Sequence, residues 1–519
     1  MKRLGYHFAV VTNRKWSVVS ASALVLTIYL LRLDRVAGLM IDDAWYILLG
    51  RAVASGNGYQ LSNAPTPGLL PPYPPFFALL LAAVFRVAPA FPANVLLLKA
   101  ISILAMLATG ALTYTYVRQR RDWPHELALL VAVGVALIPS LVFFAASTVM
   151  SECVFLTVQL ATIVALERWR SSAGTAAAGA GAALTTLTRT AGIALPIASL
   201  LYLCIERQWR RAILFGGVVL VMLAPWQLYA ARHAPTMAQR LEHGGGHTLE
   251  YGQLFWMRWA GDPESGTVSA RDLPARVWSN TVDVFGRDVI GLVAPALLRG
   301  PDESGEEALA IGGGGYSGSM GNSWPTLTLS FLLSAIAITG FVRIVASRPS
   351  AAEYVMPVSL LIVVLWPFWS FRYVLPLAPF LFFYLVDGLR GLTPKHSRVP
   401  SLVMAAVVGL FVLDHCAYIT RAHAGNPDWW IDAEDTDAVI AWLEQHPTDG
   451  IIASTNPALI HLRTGVKTIA TSGPISGDAL RTRGVRYVVC VQLGATPPAP
   501  DAGLIRYRSP QRGFWVLEL

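Results

Sequence analysis

Long apolar runs recur along this chain, and a run of that kind has few ways to be satisfied. Residues 16–31, 127–146, 211–230 and 400–413 are the clearest. Crossing ~30 Å of hydrocarbon takes ~20 mostly apolar residues wound as a helix, because each backbone N–H and C=O inside lipid must bond within the segment. Composition agrees. The chain is 54% hydrophobic and 14% charged, where a soluble domain carries about 25% charged residues. Mean hydropathy is +0.50. The expectation is a polytopic α-helical membrane protein with about 11 transmembrane helices.

The formal charge of +8 does not indicate nucleic acid, because the basic residues stand in short clusters between apolar runs, as in cytoplasmic loops. Arg118, Arg120 and Arg121 form one cluster, Arg168 and Arg170 the next, and Arg207, Arg210 and Arg211 a third. Arg343 with Arg348, then Arg390, Lys395 and Arg398, complete the series. Placing these in the cytoplasm with the N-terminus predicts spans near 16–34, 95–117, 126–146, 150–167, 174–189, 190–206, 211–230, 324–343, 354–370, 373–390 and 400–419. Lys2, Arg3, Arg14 and Lys15 precede an apolar run with no small-residue cleavage site, which reads as an uncleaved first span. Residues 74–88 are apolar but short. As a further span they would reverse the side on which Arg118, Arg120 and Arg121 lie, so a helix in the outer interface is expected there.

This topology leaves a transmembrane domain over 1–419 with two long outer loops, 35–94 and 231–323. Residues 312–321, rich in glycine, lack the Lys-Ser/Thr of a phosphate-binding loop and read as a linker. Residues 420–519 change character. Asp435 to Gln445 has helical periodicity, Gly450–Thr455 and Val485–Val491 read as buried strands, and Leu504–Arg508 with Gly513–Leu519 as a closing antiparallel pair. A small extracytoplasmic α/β domain is expected. The four cysteines, Cys153, Cys204, Cys416 and Cys490, include no CxxC pair and indicate neither a zinc site nor a disulfide framework.

Two adjacent carboxylates, Asp42 and Asp43, follow the first span. Acids at a membrane edge are costly and point to function, although an aspartate there can also cap a helix. Tyr46, a glycine-containing turn at Gly50–Gly58 and the segment Pro71-Pro72-Tyr73-Pro74-Pro75 come next. Arg189 and Arg372 are lone cations at outer span ends, against the charge bias of the other arginines. A guanidinium there needs a partner, either a phosphate, which it matches bidentately, or an acid such as Glu152 or an aspartate. His243 and His247 have i, i+4 spacing, but the three glycines between them oppose the helix a zinc pair requires. Asp262, Asp283, Asp288, Asp414 and His415 read as solvated or interfacial.

In order and spacing these motifs resemble GT-C membrane glycosyltransferases, the superfamily of protein O-mannosyltransferases and aminoarabinose transferases. The resemblance rests on Asp42-Asp43 with Tyr46 and the Pro-rich turn, Ser151-Glu152, Thr188-Arg189-Thr190, Ala224-Pro225-Trp226 and Arg372-Tyr373-Val374-Leu375-Pro376. It departs from the family pattern in having Asp-Asp for the commoner Asp-Glu, and no Lys or His before Pro74-Pro75. It implies transfer of a sugar, with inversion, from a polyprenyl-phosphate donor to a protein, lipid or glycan acceptor on the outer membrane face. Asp42 would be the base and Asp43 its companion. Tyr46, Glu152, Arg189, Arg372 and Tyr373 would bind substrate, and a divalent metal could sit at Asp43 and Glu152. The implied location is a bacterial cytoplasmic membrane. Two other classes fit a multispan chain. A secondary transporter would show repeated halves and midplane charges, and neither is evident. A non-catalytic lipid-binding scaffold is opposed by the intact Asp42, Asp43 and Arg372.

Overall fold

The computed structural model describes residues 2–66, 68–121, 123–260, 262–298, 323–347, 349–368, 370–425, 428–471, 477–492 and 503–519. The glycine-rich stretch 312–321 lies outside these. Helices stand at all the ranges read as spans. Six of them are long and apolar enough to cross a membrane, and a bent pair makes a seventh. The six include α1 (Lys2–Arg32), whose qualifying window is 15–32, then 95–120, 209–232, 324–347, 371–392 and the helix beginning at Val399. Their outward faces remain apolar. Ile213 is 76% exposed, Leu220 68% and Val221 72%, a surface that suits lipid and not water. The chain is an integral membrane protein.

Between α1 and the next span lie two shorter helices, α2 (Asp42–Ala54) and α3 (Pro75–Val87). They pack as a hairpin, and Gly50 makes the approach close: a Cβ there would stand 2.8 Å from the Leu81 Cβ. At ~1.5 Å per residue the 13 residues of α3 rise only about 20 Å, short of a bilayer. Helix α4 (Val95–Arg120) follows, then α5 (His125–Ala136) and α6 (Pro139–Ala146), which form the bent pair with a 52° break. Pro139 explains the break, since it cannot donate to the preceding turn. Helices α7 (Glu152–Arg168) and α8 (Ser172–Thr188) are antiparallel neighbours packed against α4 and α10 (Trp209–Arg232), with α9 (Ala194–Ile205) between. Small residues on α8 allow this. Gly179 lies against the backbone of α10, where a Cβ would be 3.0 Å from the Phe215 carbonyl. The tightest crossing joins 324–347 to 378–392, where Gly340 rests on the Tyr384 carbonyl and Gly388 on that of Ile336.

A buried lysine fixes the chain where it leaves α1. Lys99 on α4 is wholly buried and spends all three protons: on the Asp34 carboxylate (2.6 Å), the Asp34 carbonyl (2.9 Å) and the Ala146 carbonyl (2.9 Å). The loop toward Asp42 therefore starts from a point anchored to two other helices.

The C-terminal part holds one five-stranded sheet of β1 (Ile451–Ser454), β2 (Thr468–Ala470), β3 (Val485–Cys490), β4 (Leu504–Arg508) and β5 (Trp515–Glu518), in the order β2-β1-β3-β5-β4. The first three pair in parallel, and β5 joins β3 and β4 antiparallel. The strands expected at 450–455, 485–491, 504–508 and 513–519 correspond to β1, β3, β4 and β5. The helix expected over 435–445 begins earlier, at Asp428. Strand β2 was not anticipated, being three residues long. All four cysteines are free.

This sheet is docked on the segment that carries α2. Thr468 N–H donates to the Asn63 carbonyl (2.7 Å), Lys467 to that of Ser62 (2.8 Å), and Arg51 on α2 to that of Leu462 (3.3 Å).

Candidate active site

The carboxylate pair sits on a strained turn. Ile41 has φ 62 and ψ −63, and the Asp42 N–H donates to the Met40 carbonyl at 2.7 Å. That is a γ-turn of the rare form, adopted by a β-branched residue. Such conformations cost roughly 1–3 kcal/mol and survive only where the surroundings over-determine them. The two acids then open α2, where their charge suits the free N–H groups. Successive residues on a helix diverge by about 100°, so the neighbours face different surroundings. Asp42 reaches a cavity. Asp43 is fully buried, with Oδ2 accepting from Gly38 N–H (2.7 Å) and Oδ1 from Ala44 N–H (2.9 Å).

Two arginines converge on Asp42 from distant parts of the chain. Arg189 ends α8 in an extended conformation (φ −146) before a tight turn at Thr190–Ile193. Gly192 lets that turn close, since a Cβ would lie 2.5 Å from the Thr185 carbonyl. Arg372 stands on the four-residue helix Phe371–Val374, ahead of Pro376, whose carbonyl accepts from Gln159 on α7 (3.0 Å). Both guanidiniums meet the same oxygen, Glu152 Oε1: Arg189 Nη1 at 2.6 Å, and Arg372 through Nε. Arg372 Nη1 also contacts Asp42 Oδ2 at 2.9 Å. The Glu152 side chain is completely buried. It therefore lies behind the arginines and aims them, while they face the open space. Of the two partners expected for these arginines, the acid is the one present, and Glu152 serves both.

The open space is a cavity of about 390 Å³ lined by Asp42, Tyr46, Arg189, Arg372 and Tyr373, together with Pro72 and Tyr73 of the Pro-rich turn. Tyr73 Oη donates to Asp42 Oδ1 (3.0 Å). Tyr59 Oη supports that turn by donating to the Tyr73 carbonyl (2.9 Å), and its ring meets Trp226 edge-on at 5.4 Å. Arg189 lies over the Tyr373 ring at 5.7 Å. Ser151 Oγ links Tyr46 and Arg189, at 3.2 and 3.3 Å. Of the seven residues singled out from the sequence, five line the cavity, while Asp43 and Glu152 are buried behind it. The wall also includes His247, Tyr251, Phe255, Trp366 and Phe368, which sequence reasoning missed as site residues. His243 and His247 diverge. His243 bonds Thr66 Oγ1 (3.1 Å) and Asn63 Oδ1 (3.3 Å), and only His247 reaches the cavity. His415 is buried against the Leu137 carbonyl (3.0 Å), and Asp283 pairs with Arg287 (3.0 Å).

Electrostatics separate the acids further. Burial alone would raise Asp42, but Arg372, His247 and the Tyr73 hydroxyl outweigh it and hold the carboxyl below the usual range. Burial dominates at Asp43 and pushes it up to about 6, with the Asp42 charge adding to the rise. The Gly38 and Ala44 N–H groups and Lys99 oppose it. Burial lowers His247 below the ordinary histidine value, Arg372 adds to the fall and the Asp42 charge opposes it.

Asp43 and Glu152 offer a metal little free coordination, Glu152 Oε2 being the one oxygen of the four without a hydrogen-bond partner. Both Asp43 oxygens accept from backbone N–H groups, and Glu152 Oε1 accepts from two guanidiniums that already bring the positive charge a cation would supply. Among the described residues no three His, Cys, Asp or Glu side chains gather as a ligand set.

Neither a family model nor a curated protein matches this chain. Solved structures do. The oligosaccharyltransferase of Archaeoglobus fulgidus, in complex with zinc and sulfate, aligns over 96% of this chain and 72% of its own, at 15% identity and TM-score 0.57. The enzyme of that organism named AglB, with an inhibitory peptide and a dolichol-phosphate, aligns over 97% and 74%, at 13% identity and TM-score 0.52. ArnT of Cupriavidus metallidurans, bound to undecaprenyl phosphate, aligns over 96% and 97% at 15% identity with a looser TM-score of 0.47. The chain has the GT-C fold.

Proposed function

From this GT-C fold and the cavity it encloses, we propose that the chain is a glycosyltransferase. It moves a sugar from a polyprenyl-phosphate donor to an acceptor hydroxyl or amine on the outer face of the membrane. The observation that carries the reading is the two arginines anchored on Glu152 beside Asp42. A fold neighbour captured with a dolichol-phosphate lends support, as does the apolar wall of Phe255, Trp366 and Phe368.

Charge accounting gives the order of events. In the free site Asp42 and Glu152 carry two negative charges, and Arg189 and Arg372 two positive ones, so the group is balanced. The donor phosphodiester brings one more negative charge and competes for the guanidiniums, which match phosphate bidentately. Arg372 can then serve Asp42 less. With its main cationic partner diverted, Asp42 gains proton affinity at the moment a base is needed. The acceptor oxygen or nitrogen attacks the anomeric carbon, and its proton passes to Asp42. The carbon–oxygen bond to phosphate breaks and the electron pair leaves with the lipid phosphate, whose growing charge the two arginines stabilise. One displacement, with no enzyme nucleophile, inverts the anomeric centre. Asp43 takes no proton from substrate. It sets the direction of Asp42 through the first turn of α2.

The test is mass spectrometry of purified protein incubated with polyprenyl-phosphate sugars and envelope extract, wild type beside Asp42→Asn. The expected result is release of free polyprenyl phosphate by the wild type and a loss of ~10²–10⁴-fold in the variant, with donor binding retained. Near-normal release by Asp42→Asn refutes the base assignment. Release from no donor refutes the activity.

A further inference from the structure

We infer that Asn456, in the C-terminal α/β part, is a positioning residue for the aspartate pair, so that the chemistry in the membrane cavity depends on the docked C-terminal sheet. The inference rests on the function proposed above. Its geometry is two hydrogen bonds in series, ending on the residue next to Asp42. Asn456 Nδ2 donates to the Gly38 carbonyl at 2.8 Å. Gly38 N–H donates to Asp43 Oδ2 at 2.7 Å. Asp42 and Asp43 share the first turn of α2, which opens directly after the strained Ile41.

Gly38 needs outside help to hold this place. Its φ is +93, a region where glycine has several competing wells. Leu459, three residues past Asn456, closes over it: a Cβ on Gly38 would lie 2.6 Å from the Leu459 Cδ1. The amide of Asn456 holds the Gly38 carbonyl, and the Leu459 side chain fills the space a Cβ would take. Together they select one φ/ψ well and so one direction for the N–H that Asp43 receives. They also restrain the segment that leads into the γ-turn at Ile41, and a strained segment persists only when its surroundings over-determine it. Asn456, Ser454 and Thr455 lie where β1 runs into the helix Pro457–Thr464, so any shift of the sheet reaches Gly38 directly.

Asn456 has a second task that allows a clean test. Its Oδ1 accepts from Leu459 N–H (3.2 Å), capping the helix Pro457–Thr464. Asn456→Asp keeps this acceptor and is as good a cap, but it can no longer donate to Gly38. The full-length protein is compared with Asn456→Asp, using hydrogen–deuterium exchange over residues 35–47 and release of polyprenyl phosphate as a function of pH. Expected are faster exchange at the Gly38 amide and a fall in kcat of roughly ten- to a hundredfold. The acid limb should move to higher pH, because Asp43 loses a donor that holds its proton affinity down. Donor KM should stay close to wild type, while the unfolding temperature should fall, because Asn456 is buried and the new carboxylate faces the Gly38 carbonyl. Unchanged exchange at Gly38 overturns the positioning role, whatever the activity. Faster exchange with unchanged kcat and pH profile also overturns it. If the wild type releases no lipid phosphate, the functional reading fails, and exchange at Gly38 still decides whether Asn456 holds the loop.

Discussion

Replacing Arg372 by lysine keeps the charge and removes the fork. The arginine spans two acids at once, Nε to Glu152 and Nη1 to Asp42 at 2.9 Å, with a side chain only 11% exposed. A lysine offers one point charge on a flexible stem and can serve one of these carboxylates in a given geometry. One charge-assisted hydrogen bond is then lost. Such bonds contribute about 1.5–3 kcal/mol, which converts to a roughly ten- to hundred-and-fiftyfold fall in kcat/KM. The loss should divide unequally. Donor binding keeps a cation and suffers mildly, whereas departure of the phosphate depends on two aligned guanidinium protons and suffers most, so the fall should appear mainly in kcat. Arg372→Ala is a different experiment. It leaves Asp42 without its main cation and Glu152 with Arg189 alone, which should cost about 3–5 kcal/mol of stability. The assay is steady-state release of polyprenyl phosphate by protein in nanodiscs, with thermal unfolding as a check on folding. A lysine variant that is folded and within twofold of wild type in kcat would falsify the idea that the fork, rather than the charge, does the chemistry.

The pH profile should carry the mark of Asp43. Its carboxyl is raised to about 6, so the anion that receives the Gly38 and Ala44 N–H groups forms only as pH climbs through that value. Activity should rise with pH around 6, and Asp43→Asn should flatten this limb and reduce kcat. A limb unmoved in that variant would assign the titration elsewhere. Asp42 is held below the usual carboxylate range, so in the free protein it should contribute no limb where Asp43 titrates. Arg372→Ala, by removing its main cation, should bring one into view. Gly340→Leu should destabilise the crossing of helices 324–347 and 378–392. The added side chain meets the Tyr384 carbonyl and the Gly388 backbone, neither of which can yield. A cost of at least about 1–3 kcal/mol is expected, read as a lower unfolding temperature in detergent. An unchanged temperature would mean the crossing is looser than described.

Which of these features can be read from sequence depends on whether side chains or backbone carry them. The spans are written in side chains, and helices stand where the apolar runs are. Their length is less legible: α7 and α8 are 17 residues each and owe their place to packing, not to hydropathy. The closing strands at 504–508 and 515–518 were visible by alternation, while β2 was too short to show a period. In the site, Arg189 and Arg372 stood out as misplaced cations with Glu152 among their expected partners, but nothing in their spacing says that both meet one of its oxygens. Asp42 and Asp43 look equivalent as letters, and only the rotation of α2 turns one to the cavity and the other to the interior. His247 was noticed only for its spacing from His243, where the glycines opposed a metal pair, and that spacing says nothing of its place in the cavity wall. Tyr251 and Trp366 gave no signal beyond being aromatic near a membrane. The docking of the C-terminal sheet is the least legible part, and for a definite reason. Its bonds end on the carbonyls of Gly38, Ser62, Asn63 and Leu462, and every residue owns a carbonyl. A sequence can mark the donor, as the asparagine at 456, but it cannot mark the acceptor. A dependence of catalysis on residues more than 400 positions away can thus be built from contacts that leave almost no trace in composition or motif.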